Sequence, residues 1–259
     1  MRSSIVIMKK YPSKEGSDLM QVTRQCEHCQ HKLCAKRVPI FSAMSTEEIN
    51  EITDLIIRKS YVKGEAIMTE GETIDRLVII NSGKAKGCKY SIDGKEQILY
   101  LYSEGDFFGE RNLLTNLKAS YSIVALETVH VCMILKADIR QLIKKHPEIG
   151  LKIMEELTMK LERLENTIEQ MGTRTVEIRV IGALLEFAEK FGMEKETGRM
   201  VALPLSREGI ASYIGVTRET VSRSMNALDE EGLIQIIGNK KVFIENVEAL
   251  KNRFSETKF

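Results

Sequence analysis

Ser206-Arg207-Glu208-Gly209-Ile210-Ala211-Ser212-Tyr213-Ile214-Gly215-Val216-Thr217-Arg218-Glu219-Thr220-Val221-Ser222-Arg223 decides the fold. Its apolar positions Ile210, Ile214, Val216 and Val221 fall where two short helices would lock together. Gly215 permits a tight turn between them, Ser206 carries the side chain to cap the first helix, and Thr217 to cap the second. The stretch therefore predicts a helix-turn-helix. Arg218, Glu219, Ser222 and Arg223 then face outward near the second helix's N-terminus, where side chains reach base edges once such a helix enters a major groove. Arginine can fork onto guanine O6 and N7, glutamate can accept from cytosine N4, and Ser222 suits a base or a phosphate.

Downstream, Gly232-Leu233-Ile234-Gln235-Ile236-Ile237-Gly238-Asn239-Lys240-Lys241-Val242-Phe243-Ile244 predicts a β-hairpin wing whose basic tip, Lys240 and Lys241, would lie beside phosphates. Upstream, a helical period runs through Met154, Leu157, Leu161, Leu164, Ile168 and Met171 in steps of 3, 4, 3, 4 and 3 residues. Charged neighbours such as Glu155, Glu156, Lys160, Glu162, Arg163 and Glu165 confine the apolar surface to a narrow stripe, which suits a partner helix. Residues 147–172 are thus expected to form a dimerisation helix, and the chain a homodimer. Every seam position is apolar, so none opposes association by burying a charge, and a dimer that stands whatever the signal is expected.

From Tyr61 to about Leu135 the pattern changes to short runs rich in Val, Ile and Tyr. Turn signals break them at Lys63-Gly64, Glu70-Gly71, Asn81-Ser82-Gly83, Asp93-Gly94 and Glu104-Gly105. This predicts an antiparallel barrel or sandwich, of which the β-barrel is the expected form. Asp93-Gly94 carries the signature of a type I′ hairpin, in which both central residues need positive φ. Ser45-Thr46-Glu47-Glu48, ahead of Ile49, Ile52 and Ile56, predicts a capped helix before the barrel. The fold class is α+β: a cysteine-rich segment over 1–40, a β-barrel sensor over 41–146, the long helix over 147–172, and a winged helix-turn-helix over 173–259.

The formal net charge of +1 gives no basic field over the whole protein, so any DNA contact must be local. No secretion signal is legible, and Ile5-Val6-Ile7-Met8 is too short to cross a bilayer, so a cytoplasmic protein without a membrane partner is expected. No P-loop, nucleophile elbow or His-Glu-x-x-His motif occurs, which argues against an enzyme. Five cysteines, three within Cys26-Glu27-His28-Cys29-Gln30-His31-Lys32-Leu33-Cys34, fit metal or redox chemistry better than structural disulfides. Cys26, Cys29 and Cys34 stand close enough to ligate one metal centre, with Cys88 and Cys132 as candidate fourth donors. A zinc knuckle completed by His28 or His31, and a thiol–disulfide switch, draw on the same residues.

Arg-Glu-Thr-Val-Ser-Arg at 218–223 resembles the recognition helix of the Crp/Fnr family of transcription regulators, and the order of barrel, long helix and winged helix extends the likeness over almost the whole chain. The resemblance implies a jelly roll of the cyclic-nucleotide-binding type, a homodimer on palindromic double-stranded DNA, and RNA polymerase as a further partner. Glu219, Ser222 and Arg223 resemble the Fnr branch with its TTGAT-like half-site. Arg218 is similar to the Crp branch, which reads TGTGA, and the first base stays open between the two. The cysteine trio resembles that of Fnr-type oxygen sensors, and Cys132, just ahead of the long helix, the place of their fourth ligand. This implies a [4Fe-4S] cluster on Cys26, Cys29, Cys34 and Cys132. Four residues separate Cys29 from Cys34, one fewer than is common in the family. Cys88 then remains a barrel residue. Gly105-Asp106-Phe107-Phe108-Gly109-Glu110 resembles the phosphate-cassette start of nucleotide-binding members. The Arg-Ser or Arg-Thr pair that follows in those proteins is replaced by Lys118-Ala119-Ser120-Tyr121. Without an arginine to fork onto the phosphate, a cyclic nucleotide loses its main charge-assisted partner.

Overall fold

The structure, a computed structural model, describes residues 38–42 and 44–256. The chain enters through a buried 3-10 turn at Pro39–Phe41 and continues into α1 (Thr46–Leu55), whose capping box is complete. Ser45 Oγ accepts from the Glu48 N–H at 3.3 Å, and the Glu48 carboxylate accepts from the Ser45 N–H at 2.8 Å. These bonds satisfy N–H groups that the helix itself leaves without partners.

Eight strands follow: β1 (Ile57–Tyr61), β2 (Ala66–Met68), β3 (Arg76–Ser82), β4 (Ala85–Tyr90), β5 (Glu96–Tyr102), β6 (Phe107–Phe108), β7 (Ser122–Ala125) and β8 (Val129–Leu135). The short helix α2 (Glu110–Leu114) lies between β6 and β7. The strands form two four-stranded antiparallel sheets, ordered β1-β8-β3-β6 and β2-β7-β4-β5. Ile67, Val78, Ile80, Phe108, Ile123 and Val131, drawn from both sheets, share one buried core. The expected closed β-barrel is thereby corrected to two open sheets. β1 and β2, consecutive in sequence, sit in different sheets, and β6 is only two residues long. No ladder among the described residues joins the edges, and apolar packing unites the layers instead. The β4–β5 hairpin also turns more widely than a two-residue loop, with the Gly94 N–H donating to the Ser91 carbonyl at 2.9 Å.

α3 (Lys136–Lys145) and the 27-residue α4 (Pro147–Thr173) come next. Ile49 and Ile52 of α1, Ile139 and Leu142 of α3, and Ile149 and Ile153 of α4 pack together with Cys132 and Ile134 of β8. Beyond this anchored start, α4 presents Met154, Leu161 and Ile168 at 53%, 56% and 70% exposure. Leu157 instead packs partly on the sensor core, Leu164 is half-buried, and the Met171 side chain lies outside the described residues. Leu151, three residues before Met154, joins the exposed stripe. The exposed apolar stripe of α4 is therefore narrower than the periodicity suggested and starts earlier.

The last part comprises α5 (Val176–Phe191), β9 (Gly192–Lys195), β10 (Gly198–Ala202), α6 (Arg207–Ile214), α7 (Arg218–Glu230), β11 (Gln235–Ile237), β12 (Lys241–Ile244) and α8 (Val247–Glu256). Its core of Ile181, Leu184, Phe187, Ile210, Val221 and Met225 runs without a break into Cys88, Ile98, Leu101 and Val124 of the β2-β7-β4-β5 sheet. The β2-β7-β4-β5 sheet and the helix-turn-helix thus share one buried core. Among the described residues, no helix is long and apolar enough to cross a membrane.

Candidate nucleic-acid interface and sensor residues

In α6 and α7 local chemistry produces the expected turn. Ser206 Oγ accepts from the Gly209 N–H at 3.2 Å, and Thr217 Oγ1 from the Thr220 N–H at 3.3 Å. Between them Gly215 adopts φ 73°, ψ 44°, a left-handed conformation that a Cβ would disfavour. Ile210, Ile214 and Val221 are buried between the helices. Arg179 of α5, which sequence reasoning missed, donates from Nη1 to the Ile214 carbonyl at 3.0 Å and secures the end of α6.

This packing leaves Arg218, Glu219 and Arg223 exposed, with Ser222 half-buried behind them. A hydrogen bond from its own backbone N–H holds the Glu219 carboxyl below the usual carboxylate range. The Thr217 hydroxyl and the charges of Arg218 and Arg223 add to the effect. Glu219 is accordingly an acceptor at neutral pH, as contact with cytosine N4 requires. β11 and β12 pair antiparallel, Gly238 turns at φ 60°, and Lys240 and Lys241 are exposed at the wing.

The two candidate fourth cysteines separate clearly. Cys132 lies on β8 at 4% exposure, in the core that also contains Val38, Ile40 and Phe41. Cys88 lies on β4 in the core shared with the helix-turn-helix, where burial pushes its thiol up to about 11. Cys26, Cys29 and Cys34 lie outside the described residues.

The Gly105–Glu110 segment is tightly built. Gly109 has φ 93°, and a Cβ there would come within 2.5 Å of the Arg76 carbonyl oxygen. Glu110 is buried, with Oε1 2.7 Å from Lys160 Nζ of α4. The Tyr102 and Tyr121 hydroxyls bond each other at 3.0 Å, and the Tyr100 ring packs 5.2 Å from that of Tyr121. Arg111 and Lys118 line a shallow polar cleft with Glu110 and Ser120. Arg111 Nη1 donates to Ser120 Oγ at 2.9 Å. A guanidinium therefore does reach this stretch, from α2 rather than from the loop where the sequence pattern looked for it.

Comparison with known proteins matches residues 58–146 to the cyclic nucleotide-binding domain and residues 178–253 to the Crp-like helix-turn-helix domain. The chain is 30% identical over 219 residues to the probable transcriptional regulator flp of Lacticaseibacillus casei, covering 85% of this chain and 97% of that one. It is also 30% identical over 217 residues to the CRP-like cAMP-activated global transcriptional regulator of Mycobacterium tuberculosis, covering 84% and 96%. The solved structure of FixK2 from Bradyrhizobium japonicum superposes with a TM-score of 0.68 at 26% identity, covering 76% of this chain and 96% of that one. Recognition helix, wing and paired-sheet sensor occur in one chain with these likenesses, and the protein belongs to the Crp/Fnr family of transcription regulators.

Proposed function

We propose that this protein is a homodimeric regulator that binds a palindromic TTGAT- or TGTGA-like site and responds to oxygen or redox state. Its sensor would be a [4Fe-4S] cluster held by Cys26, Cys29, Cys34 and Cys132, and RNA polymerase its further partner. The exposed Arg218, Glu219 and Arg223 on the first turns of α7 carry the DNA-binding assignment. Two such helices, one per protomer, would enter successive major grooves roughly 34 Å apart.

For the sensor, the supporting observation is where Cys132 sits. Its core is the one that Val38 enters, and Val38 follows Cys34 by only four residues. Four residues of chain reach at most about 14 Å whatever their conformation. Thiolates shielded by apolar packing suit iron–sulfur ligation. A bound cluster supplies an oxygen-labile redox centre. Cys132 itself packs with Ile139, Ile149 and Ile153, so rearrangement around its thiol reaches the first turns of α4 directly.

Serine at Cys26, Cys29, Cys34 or Cys132 is expected to abolish anaerobic iron–sulfur absorbance, and Cys88→Ser to leave it intact, because a hydroxyl binds iron far more weakly than a thiolate. Anaerobic absorption spectra with iron and sulfide assays check this. Stoichiometric zinc without iron would decide for a knuckle instead. The Arg111–Ser120 pair is the observation that favours nucleotide sensing as a second reading. Calorimetric titration with cyclic AMP tests it: heat of binding that vanishes in Arg111→Ala would replace the cluster as the signal.

A further inference from the structure

We propose that Gly105–Glu110 is a coupling hub through which the sensor positions both the long helix and the helix-turn-helix, using one lysine from each. This rests on the DNA-binding function proposed above. Asp106 Oδ2 lies 2.6 Å from Lys190 Nζ at the end of α5, and that ammonium also donates to the Leu101 carbonyl of β5 at 2.7 Å. Four residues on, Glu110 Oε1 lies 2.7 Å from Lys160 Nζ of α4, which also donates to the Phe107 carbonyl at 3.2 Å. The segment is itself fixed to β3, with the Ile80 N–H donating to the Asp106 carbonyl at 2.8 Å and the Gly105 N–H to the Ile80 carbonyl at 3.0 Å. Displacement of this one segment therefore acts on both downstream elements.

Exposed ion pairs contribute little, but these are mostly buried, with side-chain exposures of 20% and 33% for Lys190 and Asp106, and 17% and 3% for Lys160 and Glu110. Removing Lys160 strands the buried Glu110 carboxylate. Asp106, by contrast, keeps its bonds from the Ser103 N–H at 2.6 Å and the Ser103 hydroxyl at 3.1 Å, so loss of Lys190 frees the helix-turn-helix side of the contact while the segment itself stays in place. The shared apolar core supplies the docking surface. Gln97 adds a bond from Nε2 to the Tyr213 carbonyl of α6 at 3.4 Å, so the lysine contacts set the pose rather than create the contact. In this docked arrangement Arg218, Glu219 and Arg223 stay exposed. The docked pose is the one competent to bind DNA.

Lys190→Met in the full-length protein tests the hub, with Asp106→Asn probing the same contact from the sensor side should the first variant not fold. Two measurements are made: anisotropy titration with palindromic and random duplexes, and peptide-resolved alkylation of Cys88, which lies within the docked core. The expected result is about tenfold weaker palindrome binding with random-duplex binding unchanged, about tenfold faster Cys88 alkylation, and wild-type values for Lys190→Arg. Unchanged alkylation and affinity would overturn the hub, and faster alkylation with tighter palindrome binding would show that docking inhibits. If the wild type binds neither palindrome, the DNA assignment fails, while Cys88 alkylation still decides whether Lys190 governs docking.

Discussion

Leu161→Glu is expected to render the protein monomeric at micromolar concentration and to weaken palindrome binding by roughly 10²–10⁴-fold. Leu161 is 56% exposed in the single chain, on the stripe with Leu151, Met154 and Ile168, which the proposed homodimer would cover with a second copy. Full burial of each such side chain contributes about 1.5–3 kcal/mol, against association costs of about 4–15 kcal/mol. The substitution acts once in each protomer and sets two carboxylates facing one another across the seam. That removes about 3–6 kcal/mol, and 1.4 kcal/mol is tenfold. Folding of the single chain should be unaffected, because this part of Leu161 touches no core of its own. Sedimentation velocity with a parallel thermal melt checks both halves. A persisting dimer would mean that the stripe is not the interface. The unsubstituted stripe carries no charge at these positions, so air-exposed protein should remain dimeric. A monomer there would instead show that the signal gates association.

Arg223→Ala and Glu219→Ala are each expected to weaken palindrome binding by about 1–3 kcal/mol, roughly 5- to 150-fold, and to relax base preference at one position. Both side chains are exposed, so the loss should not come from unfolding. Hydrogen bonds from its own N–H and from Thr217 hold the Glu219 carboxyl below the usual range, and replacing it removes an acceptor that discriminates cytosine. Lys240→Ala should instead weaken all sequences alike and reduce the salt dependence by about one counterion. Titrations of palindromic and random duplexes at several salt concentrations separate the two behaviours. Equal losses on both duplexes for Arg223→Ala would mean that α7 does not read bases.

The helix-turn-helix was fully legible because its determinants are local. A cap reaches three residues along the chain, as from Ser206 to Gly209 or Thr217 to Thr220, and Gly215 needs only its own missing Cβ to turn left-handed. The long helix was legible for the same reason, since a 3.5-residue period is carried in sequence order. Its split was not. Whether Leu157 faces the sensor core or the partner depends on how α4 leaves α3 and β8, which no local pattern encodes.

Sequence by itself determined the order of the parts, the recognition helix with its caps and outward charges, and the family. Each of these is written in short-range spacing and residue type. Tertiary structure alone decided that the sensor strands form two open sheets, because closure depends on which distant edges meet. It also placed Cys132 beside the point where the N-terminal segment enters, and Cys88 against the helix-turn-helix. Arg111 joined to Ser120, Lys160 to Glu110, and Lys190 to Asp106 are pairs of common surface residue types. Nothing in their spacing marks them as partners. They became specific only when packing drew them together, and for Lys160 and Glu110 it also excluded most of the water that would otherwise screen the pair.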